Sequence, residues 1–174
     1  HGIVHCQITN PRILQGMKDQ DLLAYIQPVF IDLDMNTVEP AIGAHRMDKV
    51  YAWKSMLDMG IHASGGSDAP VVSFDAMENI YFAVTRKNIS GQPQEGWIPS
   101  EKISVDEAVK LFTKNAAYAS YTEEENGTIE VGKNADFVVI EKDIYEIDPD
   151  EIKTTKVDMT VLGGEIVYER EVEE

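Results

Sequence analysis

The sequence predicts an α/β fold, parallel strands joined by crossover helices, closed by a small β-rich module at the C-terminal end. Three observations carry this reading. Short apolar runs alternate with helix-compatible segments over the first half of the chain, as βα units do. Ser104-Val105-Asp106-Glu107 is a Ser-x-x-Glu helix start that prolongs the helical pattern. From Gly127 onward, short alternating strands separated by turn residues take over. At 174 residues the chain can bury one real core. A complete (β/α)8 barrel needs roughly 250 residues, so a barrel reading is necessarily partial and a doubly wound sheet stays open beside it.

Taken in order, residues 3–8 read as a strand, and Asn10-Pro11 opens a polar helical segment that ends in the apolar run Leu22-Leu23-Ala24-Tyr25-Ile26. Residues 28–33 read as the second strand. A loop rich in Asp, Asn, Pro and Gly follows, and then a helix over about 46–59 that Gly60 terminates. Residues 61–66 form a small-residue third strand running straight into Ser67-Asp68-Ala69-Pro70, and 74–86 carries helical spacing. Beyond the 87–99 loop, the capped helix is expected over 107–121. Short strands are expected at 127–129, 132–136, 137–140, 157–161 and 165–168, with Gly163-Gly164 as a turn and a frayed charged tail at 169–174. The chain opens inside an apolar run without an initiator Met, so upstream sequence is expected to have been removed.

Composition excludes several partners. Acidic residues outnumber basic ones 31 to 15, a net charge of −16 that repels phosphate backbones and anionic headgroups. No apolar run approaches the roughly 20 residues that span a bilayer. Neither nucleic acid nor membrane is expected as a partner. The single cysteine, Cys6, rules out an internal disulfide and fits a reducing, cytoplasmic setting.

His5, near the end of the first strand, and Asp68, just past the third, are the candidate site residues. Strand C-termini of a parallel array emerge on one edge, where ligands collect. An imidazole and a carboxylate there suit a divalent metal such as zinc. Two ligands are fewer than a catalytic zinc needs, and the chain has no His-x-His pair, cysteine cluster or His-Glu-x-x-His helix. Each residue also has a structural explanation: His5 as a hydrogen-bonded strand-end residue, Asp68 as a helix cap or turn former. His62 lies too far from its strand's end, His45 reads as a solvated loop residue, and Cys6 as a buried, inert thiol.

Several motifs together resemble the amidohydrolase superfamily, in a branch similar to the N-substituted formamide deformylases. They are Ile3-Val4-His5-Cys6-Gln7, Gln27-Pro28, the segment from Tyr51 through Gly60, Gly66-Ser67-Asp68-Ala69-Pro70-Val71, Ala83-Val84-Thr85-Arg86, Asn115-Ala116-Ala117-Tyr118-Ala119, and the run from Gly127 through Val139. The resemblance covers nearly the whole chain in the family's order. It implies that the three strands are the sixth to eighth of a (β/α)8 barrel, spanning residues 1–122, and that 123–174 is one share of a β-sandwich. His5 then matches a metal ligand. Asp68 matches the aspartate that touches the metal and takes a proton from the attacking water, so that amide or other C–N bonds of a small molecule are hydrolysed. The ligands of the first, fourth and fifth strands are absent from this segment, which leaves the site incomplete. A non-catalytic binding or regulatory module is the alternative. Open sheet edges imply dependence on a missing N-terminal half or on a second copy of the chain.

Overall fold

Residues 1–171 are described by the computed structural model, and its first sheet is parallel throughout. Strands β1 (Gly2–Val4), β2 (Leu23–Ile26) and β3 (Ala63–Gly65) lie side by side in chain order, with Gly2 opposite Leu23 and Ala24 opposite Ala63. Between and after them run α1 (Pro11–Asp19), α2 (Phe30–Asp34), α3 (Val38–Ile42), α4 (Trp53–Asp58), α5 (Ala76–Thr85), α6 (Val105–Phe112) and α7 (Lys114–Ala119). Crossover helices between parallel neighbours are what the alternating sequence pattern requires.

Local chemistry explains most element boundaries. The Asn10 side chain accepts from the Ile13 N–H at 2.9 Å and Pro11 occupies the first helical position, so α1 starts where two orphan-donor problems are solved at once. Asp75 caps α5 by accepting from Met77 and Glu78, and Arg86 ends it in a left-handed conformation. Ser104 and Glu107 form a reciprocal capping box on α6.

The second strand is not where apolar content alone puts it. Residues 28–33 contain no strand; they turn into α2, while β2 occupies Leu23–Ile26. Pairing on both sides, with Ala24 and Ile26 fully buried, selects the earlier run. The expected helix over 46–59 is likewise interrupted. A 3-10 segment, Ala44–Lys49, precedes a break in which Val50 bridges to Ile8 and Tyr51 takes a positive φ, and only then does α4 begin. The helix expected over 107–121 splits at Thr113, whose hydroxyl donates back to the Val109 carbonyl at 2.9 Å, a contact that bends helices.

The core lies between sheet and helices. Trp53, Met56, Leu14, Ile80, Phe82 and Leu111 are each buried there, and each large side chain contributes about 1.5–3 kcal/mol relative to exposure. By contrast, all of β1 is exposed.

The closing module holds three antiparallel strands, β4 (Phe137–Ile140), β5 (Val157–Leu162) and β6 (Glu165–Glu169). Gly163 and Gly164, both at positive φ, make the hairpin turn, which a side chain at either position would strain. The strands expected at 127–129 and 132–136 are absent. Gly127 and Gly132 sit at positive φ in a loop that the Lys133 ammonium ties down by donating to the Glu123 carbonyl at 2.6 Å. Between β4 and β5, the 3-10 segment Pro149–Thr154 packs on α5, with Ile152 buried, Lys153 over the Tyr81 ring and Lys87 paired to Asp150 at 2.7 Å. Of the expected frayed tail, Glu169 closes β6 and Arg170 pairs with Asp158 and Glu141; residues 172–174 lie outside the described residues.

Candidate active site

A parallel sheet sends the carbonyl ends of all its strands to one edge, and here that edge carries His5, Gln27 and Asp68. His5 follows β1 immediately, Gln27 follows β2 immediately, and Asp68 stands three residues beyond β3. With strands about 4.8 Å apart, the outer two are separated by roughly 10 Å and Gln27 emerges between them.

Both candidate ligands sit on unusual backbone. His5 has φ 69°, Cys6 φ 46° and Asp68 φ 63°. Left-handed conformations in residues other than glycine cost on the order of 1–3 kcal/mol each and concentrate at functional sites. The turn at His5 and Cys6 is held by the His5 N–H donating to the Tyr25 carbonyl at 2.7 Å and the Cys6 N–H to the Val4 carbonyl at 2.9 Å. As a result the neighbours part: His5 is exposed at the rim, and Cys6 is buried in the core with its thiol directed to the Ile3 carbonyl. Burial pushes that thiol up to about 11, so it is protonated and unreactive at neutral pH, as expected.

The His5 ring is fixed by two contacts. Its Nδ1 is 2.9 Å from the Gln27 Oε1, and its face stacks on Phe30 with centroids 5.8 Å apart. Asp68 is exposed, and its carbonyl accepts from Val71 N–H at 2.9 Å, which sharpens the turn after β3. The capping explanation for Asp68 does not hold, because Asp75 is the residue that caps α5. Among the described residues, no group of three or more His, Cys, Asp or Glu side chains gathers to hold a metal.

Other sequence candidates fall away from the rim. His62 precedes β3, at the opposite end of that strand from Asp68, and stacks on Tyr118 at 4.4 Å. His45 is exposed and lines an open cavity of about 490 Å³ with Thr9, Arg46 and Asp48.

Beneath the rim lies a partly buried polar scaffold to which the sequence reading gives no role. Asp34 accepts from both Gln7 and the Tyr51 hydroxyl, and burial together with Asp34 raises the Tyr51 pKa strongly. The Arg86 guanidinium, fully buried and lowered by that burial to about 10, donates to the carbonyls of Tyr51 and Trp97 and lies over the Trp53 ring at 4.7 Å. Gln27, present in the sequence reading only as part of the Gln27-Pro28 motif, is given no site role there, although it is a polar side chain closing an apolar run and only 7% exposed.

A model of the amidohydrolase family matches residues 1–168. A Bacillus subtilis (strain 168) protein named as an amidohydrolase, YtcJ, is 34% identical over 168 residues, which cover 97% of this chain and 32% of that protein. The N-substituted formamide deformylase of Arthrobacter pascens is 35% identical over 122 residues, 70% of this chain and 22% of the relative. The chain thus spans about a third or less of the length of these relatives. Among solved structures, an uncharacterized metal-dependent hydrolase from Pyrococcus horikoshii OT3 superposes with a TM-score of 0.75 at 20% identity, over 84% of this chain and 30% of that one. That likeness establishes an α/β fold related to the TIM barrel.

Proposed function

The chain belongs to the amidohydrolase family, and from that premise we propose that it forms the C-terminal part of a metal-dependent hydrolase that cleaves an amide or other C–N bond of a small molecule. One observation carries the reading: His5 and Asp68 leave the same carbonyl edge of one parallel sheet, each on left-handed backbone. In this reading β1, β2 and β3 are the sixth, seventh and eighth strands of the barrel, residues 1–122 are its share of the barrel, and 123–174 its share of a β-sandwich. The exposed β1 and the exposed apolar Val138, Ile166 and Val167 are where the rest of the protein, or a second copy of the chain, packs.

The donor set fits a borderline divalent cation such as zinc: an imidazole nitrogen from His5 and a carboxylate oxygen from Asp68, with the remaining ligands contributed by the rest of the protein. When bound, such a cation supplies Lewis-acid polarisation of the scissile carbonyl and acidifies a water molecule. Asp68 accepts a proton at its carboxylate from the attacking water and returns it to the departing nitrogen as the C–N bond breaks. His5, held by Gln27 and Phe30, keeps its ring in one orientation throughout. The cytoplasm is the compartment that a lone, buried thiol suits, and no helix among the described residues is long and apolar enough to cross a membrane.

The test is made on the protein that contains this chain. Hydrolysis of N-acyl or N-formyl amines should be lost with a chelator and restored by zinc, and His5→Ala and Asp68→Ala should each lower kcat/KM by on the order of 100-fold or more, the first by removing a metal ligand and the second by removing the proton-transfer group. Wild-type turnover in both variants refutes the assignment.

A further inference from the structure

Resting on the metal-dependent reading above, we propose that Gln27 is a positioning residue: it holds His5 as the tautomer that leaves Nε2 unprotonated and open to a metal cation. The inference comes from what each atom of this pair is able to do. A carboxamide oxygen only accepts, so the 2.9 Å contact between the Gln27 Oε1 and His5 Nδ1 is a hydrogen bond only if Nδ1 carries the proton. A neutral imidazole has one N–H. With that proton on Nδ1, Nε2 keeps its lone pair.

The amide orientation that this requires is set from the other side. Gln27 Nε2 faces the Tyr25 carbonyl at 3.4 Å, a partner that accepts and never donates, so Oε1 is the atom turned toward His5. Gln27 is almost completely buried at the end of the central strand, and its neighbour Tyr25 also receives the His5 N–H through its carbonyl at 2.7 Å. Backbone and ring of His5 are therefore both anchored to β2, while Phe30, just beyond it, covers the ring face. The central strand bears no metal ligand in this reading, yet its end determines how the ligand on β1 is presented. Free in water, a neutral histidine favours the opposite tautomer, with its proton on Nε2. Gln27 reverses that preference, which is the role that outer partners of ligating histidines play in metal sites generally.

Its charge state also matters. A neutral amide fixes the tautomer without adding an anion to the edge that already holds Asp68. A glutamate would fix the same tautomer and would also make the imidazole a stronger donor.

The experiment labels the full protein with 15N-histidine and records long-range 1H–15N correlations without metal, at a pH of about 8.5 where histidine is neutral. His5→Ala identifies the resonance. The expected wild-type result is a protonated Nδ1 and a bare Nε2. Gln27→Ala should move the proton largely to Nε2, and Gln27→Glu should return it to Nδ1. In parallel, zinc affinity measured by competition with a chromophoric chelator should fall about 10- to 100-fold in Gln27→Ala and recover in Gln27→Glu. An Nε2-protonated wild type, or a Gln27→Ala variant with unchanged tautomer and unchanged zinc affinity, overturns the proposal. A wild type with the expected tautomer that binds no zinc refutes the metal-dependent reading instead, so the two failures are told apart.

Discussion

Glu101 offers a direct test of how the rim is supported. Helix α4 begins after Ala52, which provides no side-chain cap, so its first N–H groups need a partner from elsewhere in the chain. Glu101, 2% exposed, supplies one: its carboxylate accepts the Ser55 N–H at 2.8 Å, the Ser55 hydroxyl, and Lys49 Nζ at 3.5 Å. It also offsets the charge of the buried Arg86. Truncation by Glu101→Ala strands the Ser55 N–H and hydroxyl, at about 1–3 kcal/mol per unsatisfied group. Lys49 is partly exposed and rehydrates, so its pair adds little. The total comes to about 3–5 kcal/mol, the usual cost of removing one partner from a buried charged cluster. For a chain of this size that lowers Tm by roughly 6–20 °C. Glu101→Gln keeps one acceptor and should lose about half as much. The effect should reach the rim, because the Lys49 carbonyl accepts from both the N–H and hydroxyl of Thr9, on the loop that carries His5. Thermal melting followed by circular dichroism is the assay. A Glu101→Ala variant melting within about 2 °C of wild type refutes this account of the scaffold.

Two further outcomes follow from the same physics. The Cys6 thiol, raised from 9.0 to about 11 by burial, should be alkylated at least ~100-fold more slowly at pH 8 in the native protein than in urea. Because the folded value is the higher one, its contribution to stability is complete below pH 9 and is lost as pH rises through about 11. Equal rates with and without urea refute the burial. Ser104→Ala should remove the capping box on α6 at a cost of about 1 kcal/mol, while Ser104→Asp should melt with the wild type; equal melting of the alanine variant refutes the cap's contribution.

The parts of the fold legible in the sequence are those written in local chemistry. Asn10-Pro11, Ser104 with Glu107, and Gly163-Gly164 each encode a cap or a turn within four residues, and each appears as read. Breaks that serve distant contacts were not legible. Nothing between 46 and 59 announces that Val50 pairs with Ile8 or that the Tyr51 carbonyl is needed by Arg86, 35 residues later. At Thr113 the local back-bond to Val109 bends the helix, and α6 and α7 both lie against β3, a placement that the periodicity of 107–121 does not carry. Tertiary pairing overrides helical periodicity at these points.

The site shows how such an error propagates. His5 and Asp68 could be proposed because the first stands near the end of a run recognisable as a strand and the second just past the end of another. Gln27 could not, because with the second strand assigned to 28–33 it falls before the strand's start, on the edge away from the chemistry. Short apolar runs do not declare their own type, and both 22–26 and 28–33 qualify by composition. What separates them is the requirement on a central parallel strand, which must be paired and buried on both sides: Leu23–Ile26 meets it, and Pro28 lacks the N–H that such a strand needs. Moving the strand to its true position by that argument brings Gln27 to the same edge as His5 and Asp68. A polar residue closing a buried strand on that edge is then a candidate for holding whichever ligand stands next to it.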